Sequence, residues 1–124
     1  MRPKPKETNP CIELLCDKLT DPKLDLQALY LNRCELQDED AIEIIRAIFL
    51  SSNIKIKKIY FNNNYLTKLT ALQIAEVLSE GNTKIKELGL KWNQIDAEGG
   101  VAIADALEYN RDLKILDLSW NKIG

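Results

Sequence analysis

Four segments of the chain share one spacing of leucine-type residues, and this internal repeat constrains the fold more than any other feature. Each segment fits L-x-x-L-x-L-x-x-N/C-x-L, with Ile or Phe allowed at the Leu positions. The segments are LQALYLNRCEL from Leu26, IKKIYFNNNYL from Ile56, IKELGLKWNQI from Ile85 and LKILDLSWNKI from Leu113. Four matches in register within 124 residues predict stacked units that each bury an apolar face against their neighbours.

The spacing between repeats predicts which parts of each unit are fixed. Successive repeats begin 30, 29 and 28 residues apart. The last apolar residue of the helical pattern nevertheless lies 22 residues after the repeat start in all three complete units, at Ile48, Leu78 and Leu107. All length variation therefore falls in the loop that returns from helix to strand, where insertions are tolerated best.

Each strand segment is followed by a helical pattern. Apolar residues at i, i+3 and i+6 give the predicted buried faces: Ile42, Ile45 and Ile48; Leu72, Ala75 and Leu78; Val101, Ala104 and Leu107. A row of small residues is expected to let each helix approach the strands closely: Ala41, Ala71 and Gly100. Helix starts are indicated by residues 38–40, by Thr67 or Thr70, and by Asp96 with Glu98. Helix ends in the left-handed cap conformation are expected at Asn53, Asn82 and Asn110.

A helix-bearing repeat of this length resembles the ribonuclease-inhibitor-like leucine-rich repeats. LDLSWNKIG (residues 116–124) and ELGLKWNQI (residues 87–95) are similar to segments of NACHT-linked sensors, Ran GTPase-activating proteins and capping-protein regulators. The resemblance covers roughly residues 10–124. It implies an α/β fold: a right-handed, curved leucine-rich repeat solenoid with a parallel sheet on the concave face and helices on the convex face.

The predicted domain organisation is one leucine-rich repeat domain over residues 9–124. Residues 9–25 are expected to form an N-terminal capping helix, and the repeats start at residues 26, 56, 85 and 113, the last being incomplete. Residues 1–8 are predicted to be a flexible tail, or a small docking motif built on Arg2, Lys4 and Lys6. Because the last signature stops at Gly124, three alternatives stay open: a fragment of a longer protein, self-association through an open C-terminal edge, or a half-repeat that suffices as a cap.

The N/C position of the signature is expected to form a polar row along the turn after each strand. Its members are Cys34, Asn64, Asn93 and Asn121. An asparagine amide there can donate to and accept from peptide groups that have left the strand ladder. Cys34 is expected to be a buried small residue in this row, and the resemblance implies the same, because the ribonuclease-inhibitor-like class carries cysteine at this position.

Residues between the leucines are predicted to face the concave side, where such solenoids usually bind. The candidate protein-binding residues are Tyr30, Arg33, Lys58, Tyr60, Asn62, Glu87, Lys91, Trp92, Asp117 and Trp120. Tyrosine, tryptophan and arginine are enriched in binding hot spots. Alternatively, Trp92 and Trp120 stack on each other merely to cover the turn. A basic row, Lys57, Lys86 and Lys114, either steers an acidic partner or is a solvated edge that discourages strand pairing.

The composition excludes several chemistries. The chain has no histidine, so histidine-based catalysis and histidine-ligated zinc are absent. A net charge of −2 argues against a nucleic-acid binder, and no apolar run is long enough to span a membrane. No glycine-rich loop is suited to bind a phosphate. Together with the lack of histidine, this leads us to expect no cofactor, no metal and no enzymatic activity. Three cysteines without a CxxC motif or a signal peptide predict reduced thiols in the cytoplasm, although a reactive or metal-binding cysteine is the sharper alternative.

The sequence thus predicts a non-catalytic protein–protein interaction scaffold that binds a protein partner through its concave face. Two alternatives follow from the resemblance. One is a regulator of a small GTPase, as in the Ran GTPase-activating class, although that class uses many more repeats. The other is a fragment of a larger sensor, which would need a nucleotide-binding domain that these 124 residues do not contain.

Overall fold

Short strands alternate with helices along the chain. The computed structural model describes residues 10–21, 23–50, 56–80 and 84–123. The strands are β1 (Ala28–Tyr30), β2 (Lys58–Tyr60), β3 (Glu87–Gly89) and β4 (Ile115–Asp117). The helices are α1 (Pro10–Leu19), α2 (Asp38–Leu50), α3 (Lys68–Ser79) and α4 (Ala97–Ala106), and a 3-10 turn at Leu107–Tyr109 extends α4. The tail predicted for residues 1–8 lies outside the described residues.

The four strands form one parallel sheet in chain order, which confirms the predicted α/β repeat fold. The middle residues of the strands pair directly, in the row Leu29, Ile59, Leu88 and Leu116. Each repeat therefore places the same signature position at the same height. Among the described residues β4 is bonded to β3 alone, and self-association through its free edge stays a prediction.

One hydrophobic core lies between the sheet and the helices. It contains the signature positions, with Phe61, Leu66 and Leu90 fully buried. The helix α1 packs against α2 and buries Ile12 and Leu19 at the start of this core. The same cluster runs through all repeats, so each helix–strand unit is stabilised by apolar contact with its neighbours.

The predicted buried face of α3 holds at Ala75 and Leu78 but is wrong at Leu72, and the predicted face of α4 is wrong at Val101 and Ala104, which are exposed. Leu72 is 42% exposed and Val101 is 58% exposed, whereas Ile74 and Ile103 are buried. The small row Ala41, Ala71 and Gly100 is buried as predicted. Because successive helical residues point about 100° apart, the residue after each small one must turn toward solvent. The buried face of α3 therefore includes i, i+3, i+4 and i+7 from Ala71, whereas in α4 Ile103 and Ala106 are buried and Ala104 is exposed.

Helix starts lie where the polar residues predicted them. The Thr67 hydroxyl accepts a hydrogen bond from the Leu69 N–H (3.3 Å), and the Asp96 carboxylate accepts from the Gly99 N–H (3.0 Å). Gly99 also permits close packing of α3 and α4, because a Cβ there would lie 3.0 Å from the Cβ of Ala71. Both N-terminal turns thus have their free amides partly satisfied.

The left-handed cap predicted at Asn110 is wrong, while Asn53 and Asn82 lie outside the described residues. Asn110 has extended backbone (φ −124°) and a buried side chain. Its Oδ1 accepts from the N–H groups of Asp112 (3.0 Å) and Leu113 (2.9 Å), and its Nδ2 donates to the Leu78 carbonyl (3.3 Å). The residue therefore shapes the return to β4 through its amide rather than through its backbone angle.

Asn93 satisfies the backbone of two consecutive turns. Its Nδ2 donates to the carbonyls of Leu90 in its own repeat (3.1 Å) and Phe61 in the preceding one (2.9 Å). Its Oδ1 accepts from the N–H groups of Asn64 (3.2 Å) and Leu66 (3.1 Å). Asn64 and Asn121 bond their own and preceding turns in the same way. The predicted polar row is therefore an asparagine ladder that joins each repeat to the one before it.

The first position of this row departs from the prediction, because Cys34 is exposed rather than buried. Its Sγ donates to the Asn32 carbonyl at 3.4 Å. Among the described residues no strand precedes β1, so no earlier turn needs an amide at this position. The turn itself differs, since Glu35 also adopts a positive φ (56°), which its equivalents in later repeats do not.

A buried carboxylate forms a second link between repeats. Asp38, the first residue of α2, accepts hydrogen bonds from the hydroxyls of Thr67 and Thr70 (both 2.6 Å) and from their backbone N–H groups (2.9 and 3.3 Å). Burial by itself raises the pKa of Asp38, but these four donors outweigh it and hold the pKa below its usual value. The charge also lies at the positive end of α3.

Replacing Asn93 with Ala is expected to cost about 2–4 kcal/mol of unfolding free energy, because buried donors and acceptors of two turns lose their partner. The matched control is Gln94→Ala, whose side chain is exposed and which should change stability by less than about 0.5 kcal/mol. Urea unfolding measures both values. Equal midpoints for the two variants would contradict the ladder's role.

Replacing Asp38 with Asn is expected to cost about 1.5–3 kcal/mol at pH 7, because hydrogen bonds to a charged acceptor are lost. Since the folded pKa is lowered, the carboxylate's contribution is present above the unfolded pKa of about 3.9 and is lost as pH falls through the folded pKa. The stability gap between wild type and variant should therefore close on acidification below about pH 4. Asp105→Asn, at an exposed carboxylate, is the control, and a pH-independent gap would contradict the assignment.

Candidate protein-binding face

The outward residues of the strands and the following turns form one continuous surface, which we call the sheet face. Strand register places its residues in rows, as predicted: Ala28, Lys58, Glu87 and Ile115; Tyr30, Tyr60, Gly89 and Asp117. Asn32, Asn62, Lys91 and Ser119 follow in sequence, and then Arg33, Asn63, Trp92 and Trp120. All ten candidate binding residues lie on this face.

Tyr30 and Tyr60 form a stacked aromatic pair. Their ring centroids are 4.9 Å apart and the ring planes differ by 4°. The next position in the row is Gly89, where a Cβ would lie 2.5 Å from Cδ1 of Tyr60. The absence of a side chain at Gly89 therefore makes the space that the Tyr60 ring occupies. Tyr30 remains largely exposed, so one face of the stack is available to a partner.

Tyr60, Glu87 and Lys58 form a polar network beside this pair. The Tyr60 hydroxyl donates to Oε2 of Glu87 at 2.5 Å, and Nζ of Lys58 lies 3.5 Å from the same oxygen. The hydrogen bond raises the pKa of Tyr60 to about 12 and lowers the pKa of Glu87 below its usual value. Glu87 is thereby held as a carboxylate and the tyrosine ring is fixed in position.

A second charged group lies on β4. The Asp117 carboxylate accepts from the Ser119 hydroxyl and from the Ser119 N–H at 3.0 Å. The Ser119 hydroxyl, followed by its N–H group and the positive charge of Lys91, lowers the pKa of Asp117. Cationic Lys58 and Lys91 thus alternate with anionic Glu87 and Asp117 across the sheet, and the face carries no uniform sign of charge.

The last row of the sheet face has left-handed backbone throughout. The φ angles are 55° at Arg33, 59° at Asn63, 60° at Trp92 and 61° at Trp120. Asparagine tolerates this region, whereas a bulky residue costs about 1–2 kcal/mol there. The tryptophan rings stack with centroids 4.6 Å apart and parallel planes, which contributes about 0.5–1.5 kcal/mol. Trp92 is nevertheless 46% exposed and Trp120 64% exposed, so the stack leaves much of both indoles in solvent.

Asn62 has a structural contact that the sequence did not reveal. It is half-buried, and its Oδ1 accepts a hydrogen bond from the Lys91 N–H at 2.8 Å. Asn32 accepts from the Asn62 N–H in the same way, also at 2.8 Å. The two form a shorter second ladder along the sheet face. The free N–H groups and carbonyls of these turns are therefore less available to a partner than the aromatic rings.

Two further residues shape this face and are absent from the candidate binding residues. Ile115 is 51% exposed in the row of Lys58 and Glu87, and it adds an apolar contact next to Glu87. Gly89 makes the space for Tyr60. The strand row signalled both positions, but neither a lone isoleucine nor a glycine is a hot-spot residue type by itself.

The basic row at the strand entrance is only partly free. Lys86 lies 3.5 Å from Asp112, and the Lys114 ammonium donates to the Arg111 carbonyl at 3.2 Å. Lys57 is exposed, and its backbone N–H and carbonyl belong to the strand ladder. Both alternatives for this row, steering and edge protection, stay predictions.

The described residues offer little for other chemistry. They contain no group of histidine, cysteine or acidic side chains arranged to hold a metal ion, and none of their helices is long and apolar enough to cross a membrane. Cys11, Cys16 and Cys34 form no disulfide. Burial, followed by the negative charges of Glu43 and Asp17, raises the pKa of Cys16 to about 11, which disfavours its reactive thiolate.

Comparison with known proteins identifies the repeats. A family model described as "Leucine Rich repeat" matches residues 81–104 and 109–124. The chain is 30% identical over 112 residues to mouse NACHT, LRR and PYD domains-containing protein 9B, covering 90% of the chain and 11% of that protein. It is 27% identical over 111 residues to pig ribonuclease inhibitor, covering 90% of the chain and 24% of the inhibitor. The chain thus spans about a tenth to a quarter of the length of these relatives.

Two solved structures share the fold. Leiomodin-1 Actin-Binding Site 2 superposes with a TM-score of 0.77 at 22% identity, covering 88% of this chain and 62% of that one. The C-terminal domain of Caenorhabditis elegans tropomodulin gives a TM-score of 0.74 at 15% identity, covering 89% and 65%. At this identity the likeness concerns the fold alone.

Replacing Glu87 with Gln is expected to lower the pKa of Tyr60 from about 12 toward about 10, because the charged acceptor that favours the neutral phenol is lost. At pH 11 the Tyr60 hydroxyl should stay protonated in the wild type and be largely ionised in the variant, as read from its ¹³Cζ NMR shift. Glu35→Gln, at an exposed carboxylate that is not bonded to Tyr60, is the control. An unchanged Tyr60 titration in Glu87→Gln would contradict the network.

Proposed function

We propose that this chain, a leucine-rich repeat protein of the ribonuclease-inhibitor-like class, is a non-catalytic scaffold that binds a partner protein through its sheet face. The observation that carries the proposal is the pair of exposed aromatic stacks, Tyr30 with Tyr60 and Trp92 with Trp120, on one side of the sheet. Repeats of this kind and their structural neighbours support a protein-binding role, and the partner is unspecified.

The stacks are suited to act as binding anchors because they are rigid before a partner arrives. Tyr60 is held by Glu87 and by the space at Gly89, and the two indoles hold each other. A preorganised side chain loses little conformational freedom on binding, which costs about 0.5–1.5 kcal/mol for a mobile one. Aromatic anchors of this type often dominate interface energies.

The charges around the anchors favour a partner surface of mixed polarity. Lys58 forms an ion pair with Glu87, and the positive charge of Lys91 lies close enough to Asp117 to help lower its pKa, so charges of both signs lie side by side on this face. Arg33 is exposed at one end of the left-handed row. Such a pattern selects partners by position of charge more than by net attraction.

The absence of catalysis and a cytoplasmic location are part of the proposal. The sheet face holds no histidine, and its carboxylates are bonded to Tyr60 and Ser119 rather than poised as acids or bases. Three cysteines that form no disulfide suit a reducing compartment. Acceleration of GTP hydrolysis by a small GTPase in the presence of this chain would overturn the scaffold assignment.

A second candidate function is recognition by the repeats of a larger sensor protein. It is favoured by the similarity to mouse NACHT, LRR and PYD domains-containing protein 9B and to human NACHT, LRR and PYD domains-containing protein 12. An immunoblot of the native protein tests it. A product several times larger than 14.1 kDa supports the candidate, and a single product at 14.1 kDa contradicts it.

A Tyr60→Ala, Trp92→Ala double variant is expected to bind the partner at least about thirtyfold more weakly, because each anchor is of hot-spot type and such truncations cost about 2 kcal/mol or more. The matched control is Tyr65→Ala, which removes an exposed aromatic ring that lies outside the rows of the sheet face. Quantitative affinity capture, followed by titration of the recovered protein, gives the ratio. Equal binding by both variants, with unchanged melting temperatures, would contradict the sheet face as the site.

A further inference from the structure

A shallow groove runs between α3 and α4 on the side of the core opposite the sheet. We call it the helix groove. Its floor is apolar and small, formed by Ala75, Ala102 and Ala106, with Leu72 at one end and Tyr109 at the other. Leu72 is 42% exposed and Tyr109 is 66% exposed, so two large apolar side chains mark the groove without covering it.

The neighbouring groove between α2 and α3 provides an internal comparison, because the repeats supply equivalent positions to both. Its lining includes Arg46, Phe49, Gln73 and Val77. One repeat later the same positions hold Glu76, Ser79, Ala102 and Ala106. Four larger or basic side chains are thus replaced by smaller or acidic ones. The helix groove thus has smaller side chains and less positive charge than the groove between α2 and α3.

The charge around the helix groove has one sign. Glu76 on α3 and Asp105 on α4 line its two sides, and neither makes an ion pair with any described residue. Lys68 is the one basic residue of the two helices, and it is bonded to Glu98 at 2.8 Å. In the neighbouring groove Arg46 supplies a positive charge on the opposite side from Glu76. The helix groove therefore lacks the cation that its neighbour contains.

We propose that the helix groove binds a basic amphipathic helix of a partner protein. The alanine floor lets another helix approach closely, and a row of residues at i, i+4 and i+7 fits between two adjacent helices. Lysine or arginine residues on both sides of that row would meet Glu76 and Asp105. The mode is the docking of an amphipathic helix into an apolar groove, with charge setting the sign of the partner.

A second copy of the chain is a poorer occupant than a basic partner. The convex helices α3 and α4 carry three acidic residues, Glu76, Glu98 and Asp105, against the single Lys68. Two such surfaces repel each other. The exposed lysines of the chain lie mainly at the strand entrance, where they are carried by strand and loop rather than by a helix. The surface is also separate from the sheet face, so the two proposals stand independently.

The test uses two phage-displayed pools of amphipathic peptides of about 16 residues, long enough for four helical turns. One pool carries Lys and Arg on the polar face, and the matched pool carries Glu. The basic pool is expected to enrich on the wild-type chain and the acidic pool is not. Isolated clones should bind at least about tenfold more weakly to Ala102→Gln, which restores the side chain of the neighbouring groove, and to Asp105→Lys.

Trp92→Ala is the control and should change the affinity of these clones by less than about twofold. Circular dichroism and melting curves confirm that each variant is folded, and two variants of different chemistry keep the result decisive. The proposal is overturned if the basic pool fails to enrich, if the acidic pool enriches, or if the clones ignore both groove variants. A concentration-dependent dimer dissolved by Asp105→Lys would assign the groove to a second copy and would equally overturn it.

Discussion

The contact on which the rest of the structure depends is the hydrogen bonding of one asparagine to two consecutive turns. A parallel strand of three residues has little ladder of its own, so the chain must satisfy its peptide groups as soon as the strand ends. Asn64, Asn93 and Asn121 do this for their own turn and for the preceding one. This fixes the distance between repeats, and the apolar core can then form only with each signature residue at its repeated height.

The strand rows could be predicted from the sequence, whereas several side-chain environments could not. A period of two in the strands has only one consistent orientation once the leucines face inward, so the whole sheet face followed. The helical period decides less clearly which residues are buried. Leu72 and Ala71 are both apolar and adjacent, and only Ala71 is buried. The exposure of Cys34 reflects the absence, in the described part of the chain, of a strand turn before β1. The hydrogen bonds of Asp38 to Thr67 and Thr70 join residues about 30 positions apart. Neither contact leaves a periodic signal.

The ladder also explains why the sheet face is free to vary. Backbone satisfaction and core packing use the inward positions, so outward positions are constrained only by their neighbours in the same row. At one height the row changes from Tyr30 and Tyr60 to Gly89 and Asp117 without any change in strand pairing. Outward side chains are instead matched to their neighbours in adjacent strands. Gly89 leaves space for the Tyr60 ring, and Glu87 accepts a hydrogen bond from the Tyr60 hydroxyl. The outward residues of this scaffold can therefore change to suit a partner with little effect on the fold.

In the row with left-handed backbone, the residues that suit the turn differ from the residues that suit a binding surface. Asn63 occupies the same backbone conformation as Trp92 and Trp120 with a side chain that suits it, so the turn does not require an indole. Stacking of the two rings stabilises the fold by about 0.5–1.5 kcal/mol. The left-handed backbone costs about 1–2 kcal/mol at each of the two tryptophans. Burial of indole carbon adds to the favourable side, but about half of each ring's surface is in solvent. The tryptophans therefore contribute less to the stability of this chain than their size suggests, and the surface they leave exposed is the part that a partner can still bury.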